Sequence, residues 1–260
     1  MKHVLQVMSY NVRYDEPTDR QRWAERKAAI QQIIQQEDPD LLGLQECLYH
    51  QINDLVELLP EYNWIGQGRE GGSHGEYTPI FYKKNRFELM AYNYFWLSDF
   101  PDQVGSATWG NELTRMAVWA LFKDRQTGQI FYHLNTHFDH ETEFARQKSA
   151  ELIAGEVAGM KSDIPIIVTA DFNTGYQSET HVYLTEKAGY MDSWDIAEAK
   201  ENTEYGSFNN FQDSTGGPER IDWILLKGSS FRVLKTKLVI DQINYTFPSD
   251  HFPIVAQVII

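Results

Sequence analysis

The chain has 260 residues, 42% hydrophobic and 13% aromatic, enough to fill one large core or two modest ones. Its 37 acidic against 23 basic residues leave a formal charge of −14, which excludes the basic stripes of proteins that grip duplex nucleic acid through many phosphates. The lone Cys47 excludes an internal disulfide and a cysteine zinc site, as suits a reducing compartment.

Met1 to Met8 carries one Lys and a short apolar stretch broken by Gln6, too short and polar for a signal peptide or membrane span, so a cytoplasmic location is expected. Short apolar runs bounded by turns predict strands at Val4–Ser9, Leu41–Gln45, Thr78–Lys83, Met116–Phe122, Ile130–Thr136, Ile164–Thr169, Ile221–Leu226 and Val255–Ile259. Helical spacing shows at Trp23, Ile30, Ile33 and Ile34, again at Ile52, Leu55, Val56 and Leu59, and again at Phe144, Leu152, Ile153, Val157 and Met160. This order predicts an α+β fold, two layers of strand with helices outside. The stretches Gly66 to Gly75 and Asn202 to Gly217 read as surface loops. With no linker, repeat or low-complexity run between them, residues 1–260 are expected to form a single domain.

Polar residues collect at the ends of these strands. Asn11 follows the first and Glu46 the second; Asn135 and His137 end Ile130–Thr136, Asp171 and Asn173 follow Ile164–Thr169, and Asp222 opens Ile221–Leu226. Strand ends converge on clefts, so a composite site is expected there, with Asp250 and His251 near the C-terminus as further members.

Glu46 and Asp250 offer carboxylate oxygens and Asn11 an amide oxygen, a hard set that suits Mg²⁺ or Mn²⁺ rather than zinc. Asp171 is the candidate general base for an attacking water, with Asn173 on a phosphoryl oxygen or orienting that base. His251 is expected either to stabilise charge at phosphorus or to feed a proton to the leaving oxygen, held in one tautomer by a buried Asp222. Glu76 is expected to pair with His137 and raise its pKa, and Arg115 to clamp phosphate.

Each residue has a plainer reading. An Asp-x-Asn is usually a turn that bonds its own backbone, Arg115 pairs as readily with Glu112 at the surface, and Cys47 reads as a small buried residue rather than a nucleophile. His50, His133, His140 and His181 are expected at the surface or in packing. Tyr94, Trp96, Trp109 and Phe208 suit stacking on a base or sugar, but core packing is the commoner fate of an aromatic.

Together, Ser9-Tyr10-Asn11, Leu44-Gln45-Glu46, Asn135-Thr136-His137, Asp171-Phe172-Asn173, Arg220-Ile221-Asp222-Trp223 and Ser249-Asp250-His251 resemble, in order and across essentially the whole chain, the endonuclease/exonuclease/phosphatase superfamily. The resemblance implies a four-layer α/β/β/α sandwich of two mostly antiparallel sheets flanked by helices. It implies Mg²⁺ at Glu46 with help from Asn11 and Asp250, water activation by Asp171, phosphate contact by Asn173, an Asp222/His251 pair and a second pair of Glu76 with His137. Asn11, Asn135 and Arg115 are expected to contact substrate.

Phe95-Trp96-Leu97-Ser98-Asp99, Trp109-Gly110-Asn111-Glu112 and Asn135 to His140 resemble a bacterial-looking group near the deadenylase/nocturnin branch. Ala170 replaces the usual Gly before the Asp-x-Asn motif, and the Asn-Tyr-Arg of inositol phosphatases is absent, since Thr174-Gly175 follows Asn173. The expected function is a Mg²⁺-dependent phosphoesterase acting on a phosphodiester or small phosphomonoester. The alternatives are a 3′–5′ exoribonuclease on single-stranded RNA and, from another class, a non-catalytic module binding a phosphate or sugar ligand. No membrane, duplex or obligate protein partner is expected.

Overall fold

The computed structural model describes residues 4–228 and 231–260; the first three residues of the Met1–Met8 stretch lie outside them. In chain order the strands are β1 (Leu5–Asn11), β2 (Leu41–Gln45), β3 (Tyr62–Ile65), β4 (Ile80–Lys83), β5 (Phe87–Trp96), β6 (Met116–Asp124), β7 (Ile130–His137), β8 (Ile166–Asp171), β9 (Met191–Asp192), β10 (Ala199–Glu201), β11 (Asp222–Lys227), β12 (Arg232–Leu238) and β13 (Ile254–Ile259). The helices are α1 (Trp23–Glu37), α2 (Tyr49–Leu58), α3 (Glu143–Ala158), α4 (Glu179–Val182), which runs into a π-helical turn over Tyr183–Lys187, and α5 (Ser193–Ile196).

One sheet has the order β10-β12-β13-β1-β2-β4-β3 and the other β5-β6-β7-β8-β11-β9. Only β1 with β2, β10 with β12, and β7 with β8 run parallel; the remaining neighbours are antiparallel, so the expected sandwich of two mostly antiparallel sheets is the observed fold.

Strand periodicity builds the layers, because alternate side chains leave opposite faces of a sheet. In β1, Leu5 and Val7 join the core between the sheets while Met8 and Tyr10 join the core under α1 and α2. In β8, Ile167 faces the inter-sheet core, and Ile166, Val168 and Ala170 pack in the core under α3. α1 supplies its side of the outer core from Trp23, Ile30, Ile33 and Ile34, spaced three and four apart. It stops at Asp38, whose backbone is left-handed (φ 46), just before Pro39.

The inward-facing rows change character along each strand. Leu5 and Val7 give way to Ser9 and Asn11, Phe131 to His133, Asn135 and His137, and Ile167 to Thr169 and Asp171. The space between the sheets thus grades from apolar to polar toward one end. Halfway along, a buried seam joins the sheets: the Asn135 amide donates to the carbonyls of Leu44 (2.7 Å) and Pro79 (3.0 Å), and its oxygen accepts from Gln45 (2.8 Å) and Thr169 (3.0 Å). Gly43 permits this approach, since a Cβ there would lie 2.0 Å from Thr169 Oγ1 and 2.5 Å from Asn135 Oδ1. Gly43→Ala should therefore destabilise by about 3 kcal/mol or more, through overpacking and loss of buried bonds. Urea unfolding checks this, and a variant as stable as the parent would contradict it.

Strands β3, β5, β9, β10 and β12 are additional to those predicted. β5 lies at a sheet edge with most of its middle exposed, and β12 carries Lys235 and Lys237 on partly exposed positions, so neither shows a clean apolar alternation. β8 starts after Pro165 and runs two residues past the predicted Thr169, which places Asp171 within the sheet. Among the described residues no helix is long and apolar enough to cross a membrane.

Candidate active site

Register gathers the site. β8 pairs parallel with β7, setting His137 beside Asp171, and antiparallel with β11, setting Asp222 on the other side of Asp171. Glu46 arrives from the end of β2, and the turn before β13 delivers Asp250 and His251. A cleft of about 650 Å³ is lined by Glu46, Glu76, Arg115, His137, Asp171, Asn173, Asp250 and His251.

Asp171 is the centre. Its Oδ2 accepts from the Asn11 amide at 2.9 Å and stands 3.5 Å from His137 Nε2 and 3.6 Å from His251 Nε2. Its Oδ1 accepts the backbone N–H of Asn173 at 2.9 Å. That bond is the Asx turn of the plainer reading, so turn and site coincide: the turn holds Asn173 in left-handed backbone (φ 52) with its amide donating to Phe138 O at 3.0 Å, 2.9 Å from His137 Nε2. Burial, reinforced by the neighbouring Asp222 charge, pushes Asp171 up to about 7, where a carboxylate is an effective base at neutral pH.

His251 Nδ1 lies 2.9 Å from Asp222 Oδ2. Burial works against the charged ring, but Asp222 and Asp171 outweigh it and hold His251 well above the ordinary imidazole range. His137 behaves oppositely. Burial, with Arg115 and Arg69 nearby, holds it well below that range, and its Nδ1 accepts from Arg115 Nη1 at 2.9 Å. The expected Glu76–His137 pair is not formed: both line the cleft, but Glu76 is taken by Arg69, at 2.9 and 3.0 Å. Arg115 is buried on His137 and His140 rather than paired with Glu112 at the surface.

Two further expectations are corrected. Asn135 touches no part of the cleft, because all its bonding capacity goes into the seam between the sheets. Asn11 presents its amide nitrogen to Glu46 Oε1 (2.9 Å) and Asp171, while its oxygen accepts the Arg13 N–H at 3.0 Å. It therefore links two carboxylates from below, with its nitrogen rather than its oxygen turned toward them.

Glu46 sits on left-handed backbone (φ 62) with Oε2 accepting the Tyr14 N–H at 3.2 Å. Burial, with the Glu46 charge adding to it, pushes Asp250 up to about 6. Glu46, His137 and Asp171 each bring one ligand atom within 4.8 Å of the others. Two clustered carboxylate oxygens beside an imidazole nitrogen, without thiolates, fit a divalent cation. Cys47, next to Glu46, is fully buried and its thiol is raised by that burial, as a packing residue would be.

Behind Asp222, Arg220 donates to Asp192 at 2.7 Å and to the Asp222 carbonyl at 3.3 Å, and His181 stands 3.2 Å from Asp192. Burial alone would raise Asp192; Arg220 and His181 outweigh it and hold it below the usual carboxylate range. Asp192→Asn should cost about 3 kcal/mol at neutral pH by leaving Arg220 buried and uncompensated. The Asp192 contribution is full above its unfolded pKa of about 3.9 and is lost as pH falls through the lower folded value, so the variant should lose less stability on acidification. Urea unfolding at neutral and acid pH reads both effects, and equal stabilities at neutral pH would contradict the assignment.

Residues 8–251 match the model of the Endonuclease/Exonuclease/phosphatase family. The chain belongs to that family. Family members are phosphoester-cleaving hydrolases, and the chain is an enzyme of that class. It is similar to a mannosyl-6-phosphatase of Bacteroides thetaiotaomicron, with 34% identity, 98% of this chain and 100% of that chain covered, and a TM-score of 0.93. The catalytic domain of human nocturnin shares its fold, at 18% identity, 98% and 94% coverage and a TM-score of 0.75. An uncharacterized mimivirus protein is 30% identical over 59% of this chain, and the match spans 60% of that relative.

Arg13, Arg69 and His140 also line the cleft, and the sequence reading did not place them there. For Arg13 the signal was its position two residues past a strand-end Asn; Arg69 lies in a glycine-rich loop and carried none. Trp96 and Trp109 are core residues, whereas Phe208 is exposed and lies edge-on to His251 at 5.0 Å.

Proposed function

We propose that residues 1–260 form one domain acting as a Mg²⁺-dependent phosphoesterase on a small, sugar-sized phosphate ester in a reducing, cytoplasmic compartment. One observation carries this reading: a buried carboxylate, Asp171, stands between a neutral His137 and a charged His251, with Arg115 and Asn173 on the same cleft wall. The identity with a mannosyl-6-phosphatase along nearly the whole chain supports a compact substrate. So does the cleft lining, where arginines 13, 69 and 115 are interspersed with Asp19, Glu46, Glu76, Asp171 and Asp250 rather than aligned as a basic track for a polynucleotide backbone.

Glu46 and Asp250 would hold Mg²⁺, with Mn²⁺ as the substitute. When bound, the cation supplies Lewis-acid polarisation of a phosphoryl oxygen and stabilises negative charge on the leaving oxygen. Asp171 takes the proton of a water as that oxygen bonds to phosphorus and the bond to the leaving oxygen breaks; the leaving oxygen gains a proton from solvent, so ester and water give alcohol and phosphate. His251 Nε2 is 3.6 Å from Asp171. That proximity supports a charge on the attacking side, stabilising negative charge at phosphorus rather than protonating a leaving group opposite. Arg115 and the Asn173 amide, both set against His137, orient the phosphoryl oxygens.

The test is phosphate release from a panel of sugar phosphates, beside a labelled oligoadenylate, with Mg²⁺ and with chelator. Chelator-sensitive release from a sugar phosphate with the oligonucleotide intact is expected. A shortening ladder would favour the exoribonuclease alternative, and no cleavage of any ester would overturn the reading.

A further inference from the structure

Arg13 lines the cleft. Its backbone is left-handed at φ 56, a conformation disfavoured for any residue with a Cβ. Three hydrogen bonds hold it there: its N–H donates to Asn11 Oδ1 at 3.0 Å, and its carbonyl accepts from Arg26 at 2.9 Å and Gln51 at 3.0 Å. The side chain is fixed as firmly. Nε and Nη2 donate to the two oxygens of Asp19, each at 3.0 Å, and the guanidinium lies over the Tyr14 ring, 4.6 Å from its centroid. Nη1 remains uncommitted, 4.0 Å from Glu46 Oε2 and outside hydrogen-bonding range, on a side chain that is 25% exposed.

A guanidinium tethered along one edge and open along the other is a rigid two-proton donor matched to phosphate oxygens. The other oxygen-binding groups, Arg115 and Asn173, gather around His137, whereas Arg13 stands beside Glu46 and Asp250. A diester carries one negative charge, but a monoester near neutral pH carries up to two, and a second charge brought into a cleft needs its own partner.

The geometry points to Arg13 as a substrate-binding residue that recognises the second negative charge of a phosphomonoester, setting this enzyme to terminal phosphates over diesters. The inference rests on the phosphoesterase reading and names the substrate class of the same site.

The test compares p-nitrophenyl phosphate with methyl p-nitrophenyl phosphate, which share a leaving group and differ by one charge, in the wild type, Arg13→Met and Arg13→Lys. Calorimetry on the same proteins follows binding of inorganic phosphate and of Mn²⁺. The wild type should prefer the monoester. Arg13→Met should lower kcat/KM for it by about 10- to 100-fold, as loss of a charged hydrogen bond implies, change the diester less than about threefold, and weaken phosphate binding in parallel. Arg13→Lys should recover part of each. An equal fall for both esters with weakened Mn²⁺ binding would make Arg13 only a counter-ion of Glu46 and Asp250 and would overturn the inference; so would a wild type that prefers the diester. If the wild type cleaved neither ester, the phosphoesterase reading would fall, while phosphate binding unchanged by Arg13→Met would separately refute the role of Arg13.

Discussion

Replacing Asp171 by Asn should lower turnover by about 10³-fold or more while leaving the protein folded and able to bind metal. Asn retains the oxygen that accepts the Asn173 N–H, so the turn that places Asn173 survives. The other oxygen becomes an NH₂ facing the Asn11 amide, exchanging a 2.9 Å hydrogen bond for two opposed donors. Against that cost, the substitution removes a carboxylate whose ionisation is already suppressed by burial and by Asp222, so net stability should change little. What disappears is the carboxylate that stands 3.5 Å from His137 and 3.6 Å from His251 and accepts a proton at neutral pH. Steady-state kinetics with a thermal melt and a metal titration separate these effects, and turnover near wild type would remove Asp171 from the chemistry.

Glu46→Gln should act on the metal. Its Oε1 accepts from Asn11, so a Gln with its oxygen turned that way keeps that bond and loses the charge and the acceptor of the Tyr14 N–H. The half-saturating Mg²⁺ concentration should rise at least about 10-fold, since even groups that merely orient metal ligands change affinity by about 10- to 100-fold, and saturating Mg²⁺ should recover part of the activity. An unchanged titration would show that Glu46 is not a ligand. With one carboxylate neutralised, Asp250 also loses the neighbour that helps raise it, so neutralising Glu46 and Asp250 together should not be additive.

Most of the site was legible because strand periodicity carries it. Asp171, His137 and Asp222 fall at strand ends and share their inward-facing parity with Ile167, Phe131 and Ile224 further along the same strands, and hydrogen-bonded register then leaves them no other place. Parity does not give depth. Asn135 shares the face of His137 two residues further in, enough to move it from the cleft to the seam between the sheets. Nor does it give partners across loops: Glu76 meets Arg69 because the turns between Gly68 and Gly75 bring the chain back on itself, and no local pattern encodes that return. The orientation of the Asn11 amide likewise depends on the Arg13 N–H and on two carboxylates from distant strands. The unpredicted strands β5 and β12 were hidden for a different reason, since partly exposed strands need no apolar alternation.

The most direct test of water attack on phosphorus in this cleft is hydrolysis of a sugar phosphate by the Mg²⁺-loaded protein in ¹⁸O-labelled water, with mass analysis of both products. One labelled oxygen in the released phosphate, none in the alcohol, and no release by Asp171→Asn protein is the predicted result. Label in the alcohol, or undiminished release by the Asp171→Asn protein, would contradict it.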